Sequence, residues 1–396
     1  MNMKHIFPLL IIFFAISFSS CKKDKKDVVA YDNGPTDSLK LNEIQVLASH
    51  NSYHLRTDDD VLSFLRSLDS LGVLPAQYKP DGLDYTNIPY NEQFDNYNVR
   101  GLEIDIYNDP VGGQYYNRAA KSLMGKDPVS NIPDLLVPGM KVLHIPDFDF
   151  NSLHWTFKKT LEAVRDWSNA HPNHLPIFIN LETKEETVAQ SLTQVPGLTQ
   201  SIPFDVTAAN NIDVEIKDVF GSELSKVITP DNVRGSYSSL REAVLAGNWP
   251  RLSESRGKVV FIMQGEAETE YKTGHPSLQG RAMFVYASPL SAEAAFVIRN
   301  GPIGNVAAIQ QLVSQGFIVR TRCDEPADEA RTNDYTRMNA AFESGAQILT
   351  TDYYKADDRA GTGGWTDYNV QLPGRVVARI NPVSAGSKLG LGAIKE

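Results

Sequence analysis

An α/β fold of the TIM type, a (β/α)8 barrel with long βα-loop insertions and some distortion, is what this sequence predicts. Three observations predict it. Eight short runs rich in Val, Ile, Leu and Phe recur from about residue 42 of the 396-residue chain. Such runs read as strands buried on both faces. Helix-like patterns lie between several of them, as crossover connections require. Long insertions follow the first two runs, where barrel sites are built. A doubly wound open sheet shares this alternation, because counting strands does not prove closure.

The chain opens with a targeting pattern. Lys4 precedes a mostly apolar run over 6–18, too short to span a bilayer. Ser19, Ser20 and Cys21 follow, and the pattern resembles the lipobox of bacterial lipoproteins. Residues 1–20 are then a signal peptide and Cys21 a lipid anchor, placing the protein in the bacterial cell envelope. A plain secretory peptide cleaved nearby is the other reading. Residues 21–41 carry Lys22, Lys23, Asp24, Lys25, Lys26 and Asp27, with Gly34 and Pro35 beyond. So charged and turn-rich a stretch reads as a tether. Only two cysteines exist, and an acylated Cys21 leaves Cys323 without a partner.

The catalytic domain is expected over 42–396. Its strand candidates are 44–49, 101–107, 141–145, 176–181, 258–264, 283–287, 316–321 and 346–351. Helical periodicity marks 61–71, 153–170, 240–245, 305–315 and 334–344. Gly316 and Gly345 follow two of these and suit helix C-caps. The insertions are 56–99 and 108–139. The net charge of −10 argues against a broad nucleic-acid surface, which needs a basic excess.

The chemistry lies at strand ends. Within Arg100-Gly101-Leu102-Glu103-Ile104-Asp105, alternation puts Glu103 and Asp105 on one face. Two carboxylates inside a barrel lose hydration and repel, so they need a cation, a proton or basic partners. Glu182 ends the 176–181 run and adds a third. An all-oxygen, triply negative set suits a hard cation, Ca²⁺ or Mg²⁺, whereas zinc favours His or Cys. Asn51, after the first strand, can add a neutral oxygen. His50 beside it, and His144 at the end of 141–145, would place two imidazoles in one mouth, suited to stabilising phosphoryl charge and moving protons. His54, His154, His171, His174 and His275 read as surface residues. Arg320 and Arg322 alternate onto one face, and Lys184 shares the face of Glu182. These cations suit phosphate or polyol binding. Ion pairing with Asp324, Asp352 or a metal carboxylate is the equal alternative.

Ser-His-Asn-Ser-Tyr over 49–53, the Arg-Gly-Leu-Glu-Ile-Asp strand, a strand-end His, Asn-Leu-Glu-Thr-Lys over 180–184 and Thr-Thr-Asp-Tyr over 350–353 together resemble the phosphatidylinositol-specific phospholipase C-like phosphodiesterases. The resemblance is to their calcium-dependent bacterial branch. It implies Asn51, Glu103, Asp105 and Glu182 as Ca²⁺ ligands, with Mg²⁺ the lesser candidate. It implies His50 and His144 as the catalytic pair and a ligand carboxylate, Glu103, as base. The implied reaction is attack of an inositol 2-hydroxyl on its phosphodiester, releasing an alcohol such as diacylglycerol and a cyclic phosphate. An acidic surface is repelled by anionic bilayers, so a soluble or glycan-linked inositol phosphodiester is also in range. A monomer is expected. Two alternatives stand: a glycerophosphodiester phosphodiesterase, whose first motif usually begins His-Arg where this chain has His50-Asn51, and a non-catalytic lipoprotein that binds sugar or inositol phosphates.

Overall fold

The computed structural model describes residues 34–75, 78–325, 328–385 and 392–396. The expected signal peptide, Cys21 and the first part of the tether lie outside the described residues. Packed structure begins before the expected 41/42 boundary. Gly34–Ser38 is a 3₁₀-helix, and Leu39 and Leu41 are buried. These two leucines alternate apolar with polar and so can bury one edge of a segment whose composition otherwise reads as tether.

The strands are β1 (Ile44–Ser49), β2 (Val99–Tyr107), β3 (Lys141–Val142), β4 (Ile177–Thr183), β5 (Val259–Gly265), β6 (Phe284–Val285), β7 (Phe296–Ile298), β8 (Ile318–Arg322), β9 (Ile348–Thr351), β10 (Ala378–Ile380) and β11 (Ala393–Ile394). Eight pair in the order β6-β5-β4-β2-β1-β9-β8-β7, every neighbour parallel. A single parallel bridge, Tyr286 to Phe296, joins the two ends and closes the ring. This is the TIM-type barrel. Its distortion lies at β1, where the register to β2 shifts between Leu47 and Ala48. The N-terminal half of β1 pairs instead with β10, antiparallel.

Gly101 explains how β1 and β2 pack there. A Cβ on it would lie 2.5 Å from the Cβ of Ala48, inside contact distance, so only glycine lets the strands approach. Every residue of β2 is buried, as a strand covered on both faces requires. The crossover helix Phe157–Ala170 starts where Thr156 Oγ1 accepts the Lys159 N–H. Gly316 and Gly345 both adopt positive φ just beyond helices, as expected of C-caps.

One expected barrel strand is not in the barrel. Of 141–145, only Lys141–Val142 is a strand, and it pairs antiparallel with the end of β2. The eighth barrel position belongs to β7. It has only three residues and follows β6 closely with no intervening helix, so the strand–helix alternation that revealed the others is missing. The helix Val206–Phe220 was likewise not anticipated. The insertions leave the C-terminal ends of β1 and β2. A small satellite core that includes Val61, Leu65, Ile145, Phe148 and Val188 supports them over the barrel mouth.

Candidate active site

Three carboxylates converge at the C-terminal ends of β2 and β4. Asp105 and Glu182 are register partners across the two strands. Ligand oxygens of Glu103, Asp105 and Glu182 all lie within 4.8 Å of one another. Each has been given a partner. Glu103 pairs with Arg320. Asp105 Oδ2 lies 3.1 Å from Lys184 Nζ. Gln264 donates to Glu182 at 2.6 Å and to Glu103 at 3.3 Å. Two cations against three carboxylates leave one negative charge in excess.

That imbalance shows in the proton affinities. Burial pushes the Asp105 carboxyl up to about 8; Lys184 opposes this, while Glu182 and Glu103 add to it. Its Oδ1 is buried without a hydrogen-bond partner among the described residues. Burial also raises Glu182, but Lys184, Gln264, His50 and Arg320 outweigh it and hold the group below its ordinary value. A crowded, oxygen-only set with an orphaned buried oxygen is what a hard divalent cation fits.

Asn51 follows His50 on the turn after β1 and is buried, with φ 41°. Left-handed backbone is tolerated best by Asn among side-chain-bearing residues. The turn is tied to β2 at the site itself. Ser52 N–H donates to the Glu103 carbonyl at 2.9 Å, and Glu103 N–H donates to Ser52 Oγ at 2.8 Å.

Both sequence-designated histidines are present at the mouth, each held by a carboxylate that sequence reasoning gave no role beside a histidine. His50 Nδ1 lies 2.6 Å from Asp352. Burial raises Asp352, but His50 and Arg322 outweigh it and hold it well below the usual carboxylate range. An ionised carboxylate only accepts, so His50 Nδ1 carries the proton. Its Nε2 accepts from Arg322 Nη1 at 3.0 Å and stands 3.8 Å from Glu103 Oε2. His144 Nδ1 lies 2.6 Å from Asp149 Oδ2. Burial and then Lys184 push this imidazole down to about 4, against Asp149. His144 does not end a barrel strand; it stands in the excursion beyond β3, which a bridge between Ile145 and Asp149 closes. It lines a cavity of about 60 Å³ with Tyr78, Tyr107, Ile145, Lys184 and Glu186.

The three basic residues read as phosphate or polyol binders are ion-paired: Arg320 with Glu103, Lys184 with Asp105, and Arg322 with Asp352. This is the ion-pair alternative, and it sets the charges that a substrate phosphate would meet. Two of the histidines read as surface residues are buried. His54 bonds Asp149 and stacks on Tyr85, and His174 is held between Ser168 and the Leu175 carbonyl. Asp149 has a faint signal, five residues beyond His144. Asp352 ends the last barrel strand, as barrel-site residues do.

Residues 39–382 match the family model of Ca²⁺-dependent phosphoinositide phospholipase C. No curated protein matches the chain. Among solved structures it is similar to a calcium-dependent phosphoinositol-specific phospholipase C from a Gram-negative bacterium, Pseudomonas sp. The identity is 16% over 85% of this chain and 96% of that one, with a TM-score of 0.49. It is also similar to a Ca²⁺-dependent phosphatidylinositol-specific phospholipase C from Streptomyces antibioticus, at 16% identity over 79% and 94% of the chains, TM-score 0.47. A phosphatidylinositol-specific phospholipase C from Listeria monocytogenes is similar at 11% identity over 80% of this chain and 91% of that one, TM-score 0.42.

Proposed function

The chain belongs to the Ca²⁺-dependent phosphoinositide phospholipase C family of phosphodiesterases, and on that premise we propose that it cleaves phosphatidylinositol or a related inositol phosphodiester by intramolecular attack of the inositol 2-hydroxyl. The observation that carries this reading is the pairing of two half-buried histidines, each held by a buried carboxylate, with a three-carboxylate cluster. One imidazole stands beside Glu103 and the other beside the Lys184–Asp105 pair.

Asn51, Glu103, Asp105 and Glu182 would hold Ca²⁺. When bound, the ion supplies positive charge beside the phosphoryl group and acidifies a neighbouring hydroxyl. Glu103 takes the 2-hydroxyl proton as that oxygen bonds to phosphorus. His50 and the adjoining Arg322 face the charge that builds on the phosphoryl oxygens. Asp352 fixes the tautomer of His50, so its Nε2 is turned into the site. The bond from phosphorus to the leaving alcohol breaks, and His144 Nε2 gives that oxygen a proton. In the free protein His144 is neutral above about pH 4; an arriving phosphodiester anion favours its protonated form. General acid–base assistance of this kind is worth about 10²–10⁴-fold for each group. The products are a cyclic inositol phosphate and an alcohol.

The test incubates the purified protein with phosphatidylinositol, glycerophosphoinositol and glycerophosphocholine, with Ca²⁺, Mg²⁺ or a chelator. Phosphorus NMR is expected to show a cyclic inositol phosphate with Ca²⁺, less with Mg²⁺ and none with chelator. Turnover of glycerophosphocholine alone would move the assignment to glycerophosphodiester hydrolysis. Binding without turnover under every condition would make the protein a binding lipoprotein. Anchoring at Cys21 belongs to the same proposal: a Cys21→Ser variant is expected to leave the membrane fraction, and retention there would refute the anchor.

A further inference from the structure

Asp149 serves two histidines. Its Oδ2 accepts from His144 Nδ1 at 2.6 Å and from His54 Nε2 at 2.7 Å, and His54 Nε2 is also 2.9 Å from Oδ1. Thr57 Oγ1 donates to Oδ1 as well. Burial raises this carboxyl, but the two imidazoles hold it well below the usual range. Asp149 is therefore an acceptor only, and both facing ring nitrogens carry protons.

His54 is completely buried, its ring stacked on Tyr85 at 4.3 Å between centroids with 19° between planes. It sits one turn beyond His50 and Asn51, and its own N–H donates to the Asn51 carbonyl at 2.8 Å. Thr57 comes from the same segment. The segment that carries one proposed catalytic histidine thus reaches, through His54 and Thr57, the carboxylate that orients the other. Among the described residues His54 Nδ1 has no hydrogen-bond partner. A histidine kept for packing alone would be better replaced by an aromatic ring, because an unmatched buried nitrogen is a cost.

We propose that His54 is a positioning residue: its Nε2–H fixes the Asp149 carboxylate so that Asp149 accepts the His144 Nδ1 proton and leaves His144 Nε2 facing the leaving group. The role of His144 in this statement rests on the proposed reaction; the orientation of its ring does not. Third members that orient a general acid or base in this way are part of hydrolase triads.

Two variants separate positioning from packing. His54→Phe keeps the ring on Tyr85 and removes the donor. His54→Gln loses the stack but can place an N–H where Nε2 stood. For His54→Phe, phosphatidylinositol turnover is expected to fall roughly 10–100-fold in kcat, with KM and Ca²⁺ affinity unchanged. His54→Gln is expected to recover most of kcat. Nitrogen-15 NMR of the histidines should show a single Nδ1–H tautomer for His144 in the wild type and a mixture in His54→Phe. Full kcat and an unchanged tautomer in His54→Phe would overturn the proposal. So would equal loss in both variants that tracks a shared drop in melting temperature. If His54→Phe does not fold, Thr57→Val removes the other donor and must give a smaller shift of the same tautomer ratio; no shift refutes the inference. If the wild type turns over no phosphodiester, the reaction reading fails, and the NMR measurement still decides the role of His54.

Discussion

Asp105→Asn should raise the stability of the metal-free protein at alkaline pH while abolishing Ca²⁺-dependent activity. Asp105 is 1% exposed, has one unpartnered oxygen, and has two other carboxylates within 4.8 Å. Its folded-state pKa of about 8 lies far above the 3.8 of a free aspartate. The folded protein therefore keeps a proton that the unfolded chain has already released. Stability falls as pH rises through that window, by about 1.4 kcal/mol per unit for one proton. Between pH 6.5 and 8 His144 and His174, each pushed down to about 4, stay neutral in the folded protein, and their titration in the unfolded chain is the same in wild type and variant, so it cancels from the difference. Asp324, also near 8, contributes to wild type and variant alike. Integrating one group over that interval leaves a difference of about 1.5 kcal/mol. Urea unfolding in chelator at the two pH values should show the wild type losing about that much more than Asp105→Asn. Ca²⁺ must displace the same proton, so affinity should rise about tenfold per pH unit below 8. Calorimetric titration in buffers of different ionisation enthalpy should count close to one proton released at pH 7. Identical pH dependence in the two proteins, or Ca²⁺ binding without proton release, would refute the reasoning.

Other perturbations probe the remaining parts. His50→Ala should lower kcat by about 10²–10⁴-fold with Ca²⁺ affinity retained; a calorimetric Kd beside steady-state rates checks both, and loss of Ca²⁺ binding would make His50 a ligand. Asp352→Asn leaves His50 without its fixed tautomer and should cost kcat about 10³–10⁴-fold, with little change in KM. Gly101→Ala forces a Cβ to within 2.5 Å of the Ala48 Cβ, so a loss of about 1–3 kcal/mol is expected on unfolding; Ala48→Gly in the same chain should restore part of it, and no restoration would place the strain elsewhere. His174 is buried neutral between Ser168 and Leu175, with its pKa pushed down to about 4 by burial. Its folded value lies below its unfolded one, so stability is lost as pH falls from about 6.5 to 4. His174→Gln should flatten that limb by up to about 1.4 kcal/mol per unit, measured by urea unfolding at pH 4.5 and 6.5.

Much of the architecture was legible because barrel strands are buried on both faces and so appear as continuous apolar runs. Seven of the eight expected runs are barrel strands. The exception, around Lys141, is apolar because it packs on the end of β2 outside the ring. The missed strand, β7, is too short to show a pattern and has no helix before it. The oxygen cluster was legible too, since strand alternation alone puts Glu103 and Asp105 on one face.

Sequence by itself thus determined the alternation of buried strands with crossovers, the family resemblance and the residue types at the strand ends, because these depend on local periodicity and short motifs; closure into a barrel was decided by the fold. Tertiary structure alone decided which carboxylate serves which group. Asp352 is 302 residues from His50, and Arg320 is 217 from Glu103. No local pattern encodes a pairing that only closure of the barrel creates. His54 is the plainest case. In the sequence it is one more polar residue in a loop, read as exposed. In the fold the insertion covers it, burial forbids an unpaired ring N–H, and Asp149 is the acceptor within reach.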